Sequence, residues 1–253
     1  MKYRRSVSAT LAALVGAPAL AATVLVAPVV PGLAAAASAA PVCADYTVIG
    51  AAGSGEGGED GGLGPLVAGV ADGFAASARA EGKTATVRAV HYPAAAVPQD
   101  ISGIGPFLAS IETGAADTQG DFGIVTRACP STRVVLIGYS QGAAAVHRAL
   151  QRLGDRPQIA AAALIADPDR LPGDTVISMG SARGGQGMAR AAVVAGAVPG
   201  DLPPRIGAHT LSICTNGDPV CQWTGDLMSI GLNAHTSYTA GPILARLKPI
   251  AGL

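Results

Sequence analysis

The chain has 253 residues, 17 lysines and arginines against 17 aspartates and glutamates, 49% hydrophobic residues and only 4% aromatic ones. The charge balance removes any global pull towards nucleic acid or an anionic membrane surface, and no basic stripe or Walker-type phosphate loop offsets that. The length suits one α/β domain whose interior is packed mainly from Ala, Val, Leu and Ile.

The chain opens with Lys2, Arg4 and Arg5, continues through an apolar stretch from Val7 into the alanine run 34–37, and reaches small residues at Ala37-Ser38-Ala39-Ala40. This is the layout of a secretory signal peptide over 1–40, with the mature chain beginning near Ala40 or Pro41. The rival reading is an uncleaved anchor, against which Pro18, Pro28 and Pro31 interrupt a spanning helix. Residues 41–253 are then expected to form a single domain, secreted or retained at the cell envelope. In an oxidising compartment the even set Cys43, Cys129, Cys214 and Cys221 reads as two disulfides. Cys214 and Cys221 enclose a short loop and close at least cost, which leaves Cys43 for Cys129. Zinc is the alternative, but neither a Cys-x-x-Cys nor a His-x-x-x-His pair supports it.

Five segments have strand character: 46–51, 86–91, 133–139, 161–166 and 209–214. Between them lie helical stretches at 66–80, where Leu66, Val67, Val70, Ala71, Phe74 and Ala75 make an apolar stripe, at 106–116 with an extension to 127, and at 141–153. A last helix covers 242–247. This alternation predicts a doubly wound, five-stranded parallel sheet with its ligand site beyond the carboxyl ends of the strands. The glycine-rich stretch 55–64 carries Glu56, Glu59 and Asp60, which would repel a phosphate. The pattern lapses over 178–204, an excursion read as a loop or flap with a short helix at 188–197 near the site's rim, or as a surface loop with no role.

Chemistry concentrates at Gly138-Tyr139-Ser140-Gln141-Gly142, directly after Val134-Val135-Leu136-Ile137. A serine on a tight strand-to-helix turn presents its hydroxyl above the sheet, and small residues two before and two after relieve the crowding. A Gly-Ser turn of no consequence has the same letters, so the partners decide. A serine hydroxyl is a weak nucleophile and needs a histidine, itself oriented by a carboxylate.

Of four histidines, His147 lies two turns along the helix that Ser140 starts, His91 ends an early strand and could line the site's edge, and His209 opens a strand at the end away from the active face. His235 is the best base. For the acid, Asp218 follows the strand 209–214 inside the Cys214–Cys221 loop, where a cross-link would hold a carboxylate rigid, and it keeps the order Ser, Asp, His. Asp167 and Asp226 are the alternatives, and a plain surface turn is the bland reading. Oxyanion donors are expected from the Gln141 N–H and from Ser54 in Gly53-Ser54-Gly55-Glu56.

These residues together resemble the cutinase family, specifically the secreted cutinase-like serine esterases of actinobacteria. The elbow Gly138 to Ala143, the preceding Cys129, Cys214-x-x-x-Asp218-x-x-Cys221, His235-x-x-Tyr238 and Gly53-Ser54-Gly55-Glu56 carry the likeness across residues 43–247. The resemblance implies an α/β-hydrolase-type cutinase fold and a cofactor-free ester hydrolase working through an acyl-enzyme. Ser140 would attack, His235 would move the proton, Asp218 would hold the imidazolium, and Ser54 with Gln141 would stabilise the oxyanion. It also implies the disulfides Cys43–Cys129 and Cys214–Cys221. The substrate would be an ester of short to medium acyl chain, a lipid or a cutin-like polyester, acted on by a monomer without an obligate protein partner. An envelope phospholipase or thioesterase, and a lipid-binding surface protein that has lost turnover, are the other classes. The chain departs from the family in lacking an arginine before Gly53, where Ala52 stands, and in a longer interval from Ser140 to Asp218. Both differences fall at the mouth of the site and bear on substrate choice.

Overall fold

Three of the predicted strands are apolar runs with no alternation, as burial on both faces demands. In a computed structural model, which describes residues 42–57, 62–182, 184–191, 200–225 and 232–253, these runs are the centre of a parallel sheet. Tyr46–Ala51 (β1), Arg133–Tyr139 (β3) and Ile159–Ile165 (β4) are buried along almost their whole length. Ala85–Ala89 (β2) pairs with β1 at one edge, while Ile177–Met179 (β5) and Thr210–Ile213 (β6) complete the order β2-β1-β3-β4-β6-β5, every pair parallel.

The sheet therefore has six strands where five were expected. The added one, β5, is three residues long and pairs Ile177 with Leu211 through Met179 with Ile213. A segment so short carries no periodicity to read, and Gly180, at φ 104°, ends it at once. The excursion predicted at 178–204 thus begins as an edge strand. Its predicted helix is seen at Met188–Ala191 (α4), and positions 192–199 lie outside the described residues. The expected signal segment 1–40 also lies outside them.

Helices cover both faces. Pro65–Ala80 (α1) and Ala240–Ala251 (α7) pack on one, where Val70, Phe74, Ile243 and Leu247 meet Val48, Val135 and Ile165. Ile104–Ala128 (α2) and Gln141–Leu153 (α3) pack on the other, where Phe122, Val146 and Leu150 meet Ile49, Leu136 and Leu164. Neighbouring strand residues go to opposite cores, as the pleat requires. Pro106 sits in the first turn of α2, where its missing N–H breaks no helical bond, so the helix starts two residues before the predicted bound. Short helices Pro204–Gly207 (α5) and Leu232–His235 (α6), with one 3-10 turn at Ile101–Gly103, complete the described elements.

From β1 the chain runs outward to β2, then returns to place β3 on the other side of β1. The connections after β1 and β3 therefore diverge, and a crevice opens between them at the carboxyl end of the sheet. Ser54 follows β1 and Ser140 follows β3. The topology alone brings their loops together.

Candidate active site

Ser140 has φ 54°, a left-handed conformation that a side chain with a Cβ resists. The neighbours absorb the cost. A Cβ on Gly138 would run into the Gly142 carbonyl, and one on Gly142 would run into the carbonyls of Ala51 and Ala52. The two glycines thus permit the sharp turn and let the end of β1 press onto the start of α3. The Ser140 N–H donates to Ile165 O at 2.8 Å, which ties the turn to β4. The other non-glycine residues at positive φ, Ala94 and Ala166, also follow strand ends, so the described backbone strain gathers around this rim.

His235 in α6 brings Nε2 to 3.1 Å from Ser140 Oγ. Its Nδ1 lies 3.1 Å from both oxygens of Asp218. Asp218 is fully buried, whereas Ser140 and His235 keep 8% and 9% of their surface exposed, so the acid is shut away from water while the other two face the crevice. Burial pushes the Asp218 carboxyl up, but the His235 hydrogen bond and charge, the Tyr238 hydroxyl and the Val220 N–H together hold it below its ordinary value. The ring of Tyr139 stacks on His235 at 5.2 Å, and its hydroxyl donates to the His235 carbonyl at 2.8 Å.

The carboxylate's loop is closed by the Cys214–Cys221 disulfide, and Cys43–Cys129 forms the second bridge. Arg170, in the loop after β4, donates to Cys221 O at 3.3 Å and to Ala182 O at 3.0 Å. It joins the acid's loop to the excursion, which is also tied there by the Met188 N–H on Val220 O and the Trp223 N–H on Gln186 O, each 2.8 Å.

Ser54 lies in a turn between Gly53 and Glu56. The Glu56 carboxylate accepts the Gly53 N–H at 2.9 Å, the Gly55 N–H donates to Ala94 O at 2.7 Å, and the Tyr92 hydroxyl donates to Ala52 O. Gln141 opens α3 with its N–H at a helix N-terminus, where the local field is positive. Its side chain turns to the wall of the crevice: Nε2 donates to Ala95 O and Oε1 accepts from Ser110 Oγ, both at 3.1 Å.

The remaining candidates lie elsewhere. His147 is buried and its Nδ1 meets Asp167 Oδ2 at 2.6 Å, so Asp167 serves that pair. His209 is half-buried and bonds the Arg205 carbonyl. His91 is exposed and within electrostatic reach of Asp117. Asp226 lies outside the described residues. Among the described residues no cluster of three metal-ligating side chains occurs, and no helix is long and apolar enough to cross a membrane. Arg170 and Ser110 carried no sequence signal, since Arg170 meets distant carbonyls and Ser110 meets the Gln141 side chain and the Ala95 N–H.

Against known proteins, the sequence model of the Cutinase family matches residues 42–244. The chain is 33% identical to Phospholipase Culp4 of Mycobacterium tuberculosis over 136 residues, 51% of this chain and 50% of that one. It is 31% identical to Cutinase CUT2 of Pyricularia oryzae over 120 residues, 47% of this chain and 42% of that one. The match thus spans about half the length of the curated relatives. Among solved structures, a cutinase-like protein from Cryptococcus sp. superposes with a TM-score of 0.58 at 25% identity, over 83% of this chain and 92% of that one.

Proposed function

Because this chain belongs to the cutinase family, we propose that it is a secreted serine esterase that cleaves carboxylic esters through an acyl-enzyme. The observation that carries the reading is the run of contacts from Ser140 Oγ to His235 Nε2 to Asp218, each 3.1 Å. In this mechanism His235 takes the Ser140 proton as Oγ attacks the ester carbonyl, and the buried Asp218 steadies the imidazolium that forms. The negative oxygen of the tetrahedral intermediate is met by the Gln141 N–H and by Ser54. His235 then returns the proton to the leaving alcohol, and water repeats the sequence on the acyl-enzyme.

Substrates are esters of short to medium acyl chain, lipid or cutin-like. A relative named as a phospholipase and another named as a cutinase support the ester class from two sides. The two disulfides suit an oxidising compartment, which supports export. A panel of p-nitrophenyl esters graded in acyl length, with phospholipid and thioester substrates beside it, tests the reading. Hydrolysis that disappears in Ser140→Ala is expected, and the panel separates simple esterase from phospholipase or thioesterase. Activity that survives in Ser140→Ala contradicts it, and binding of lipid without turnover in the wild type identifies a lipid-binding protein instead.

A further inference from the structure

The carboxylate of Asp218 is held by more than the histidine it orients. Its Oδ1 accepts the Val220 N–H at 2.9 Å, and its Oδ2 accepts the Tyr238 hydroxyl at 2.6 Å. The same hydroxyl oxygen accepts the Thr215 N–H at 3.0 Å and lies 3.5 Å from Cys221 Sγ. Tyr238 thus reaches from three residues past His235 to the acid, to the backbone at the start of the acid's loop and to the disulfide that closes it.

Two physical consequences follow. A donor on each oxygen fixes the carboxylate plane, which leaves His235 Nδ1 equidistant from both. A short bond to an ionised acceptor also spreads part of the negative charge onto the donor, and the Thr215 N–H strengthens that donor by polarising its O–H. Less charge then faces the imidazole, so its protonated form gains less from the pairing.

We propose that Tyr238 is a positioning residue for the His235–Asp218 pair, fixing the carboxylate and drawing off part of the charge that it turns towards His235. The inference rests on the triad reading above. The other titratable and charged groups around the pair are Tyr139 from the end of β3, stacked on His235; Glu56 from the loop after β1, within electrostatic reach of Tyr139; and, from the loop after β4, Arg170, within reach of Tyr238, with its neighbour Asp167, which pairs with His147. All four remain when only the Tyr238 hydroxyl is removed.

The test is the pH profile of kcat/KM for p-nitrophenyl butyrate in wild type, Tyr238→Phe and Tyr139→Phe. In Tyr238→Phe the acid limb is expected to move up by roughly half a pH unit, because a fuller charge on Asp218 stabilises the imidazolium. Its plateau is expected to fall about tenfold as the carboxylate loosens. Tyr139→Phe removes a hydroxyl bonded to the His235 backbone, and is expected to lower the plateau while leaving the limb in place. The limb's position belongs to the active molecules alone, so a lower yield of folded protein does not shift it. A Tyr238→Phe limb that coincides with wild type, lies below it, or moves no further than that of Tyr139→Phe overturns the inference. If wild-type hydrolysis does not depend on Ser140, the triad reading fails and the inference with it; a Ser140-dependent profile with an unmoved limb removes the inference alone.

Discussion

At the scale of single residues, the proposed catalysis depends on one carboxylate kept charged where burial alone would favour its protonation. Asp218→Asn keeps the shape and removes the charge, so the imidazole loses both its correct tautomer and its counter-ion. We expect kcat to fall on the order of 10^3 to 10^4-fold with the circular dichroism spectrum unchanged, and a loss below tenfold would argue against Asp218 as the acid. Among the proposed site residues, Ser54 and Ser140 stand in loops that follow strand ends and Asp218 carries the added mark of flanking cysteines, features that a sequence displays directly. Arg170 was not legible for the opposite reason. It binds carbonyls 12 to 51 residues away, and a carbonyl leaves no trace in the identity of its residue. The Tyr238 position was visible in the sequence, but the bond it makes to the acid was not.

At the scale of elements, close backbone approach at the start of α3 decides whether the Ser54 loop meets the Gln141 N–H. Gly142→Ala would drive a methyl into the carbonyls of Ala51 and Ala52. The expected cost is about 1–3 kcal/mol of stability, with a loss of kcat larger than that of substrate binding, measured by denaturant unfolding and steady-state kinetics. An alanine variant with wild-type stability and rate would mean that the two backbones are not pressed together. The central strands and the helices between them were readable, since fully buried strands must be continuously apolar and packed helices must carry a stripe. The edge was less readable: β5 has three residues, and their pairing with β6 is set by where the excursion leaves the sheet rather than by its own pattern.

At the scale of the whole molecule, covalent links and a buried charge network set the stability. The Cys43–Cys129 bridge spans 86 residues and the Cys214–Cys221 bridge spans 7. Loop-closure entropy assigns the first about 4–5 kcal/mol and the second about 2 kcal/mol. Replacing each pair by alanine should therefore lower stability more for the long loop, while the short one should cost more in kcat because it clamps Asp218; the reverse order in kcat would contradict that division of labour. Behind the site, His147 pairs with Asp167, and Arg148 with Asp169 and Glu112. Burial pushes the His147 imidazole down, but Asp167 beside it, with the charges of Asp169 and Asp174, together more than offset this and leave it above its ordinary value of 6.5. A group raised on folding stabilises fully below its unfolded value, so this contribution is lost as pH rises through the folded value. Asp218, held below 3.8, acts in the other direction, and its contribution is lost as pH falls below that range. His147→Gln is expected to cost roughly 3–5 kcal/mol near neutral pH, and less as the pH is raised. A cost that grows with pH would show that the pair is not charged.

The central claim is that Ser140 carries the acyl group. Rapid mixing with excess p-nitrophenyl butyrate, followed by an acid quench and peptide mass spectrometry, tests it most directly. The account predicts a burst of nitrophenol no larger than one equivalent of enzyme, a butyryl adduct of about 70 mass units on the peptide containing Ser140, and neither in Ser140→Ala. An adduct on another residue, or a butyryl peptide that persists in Ser140→Ala, would contradict it.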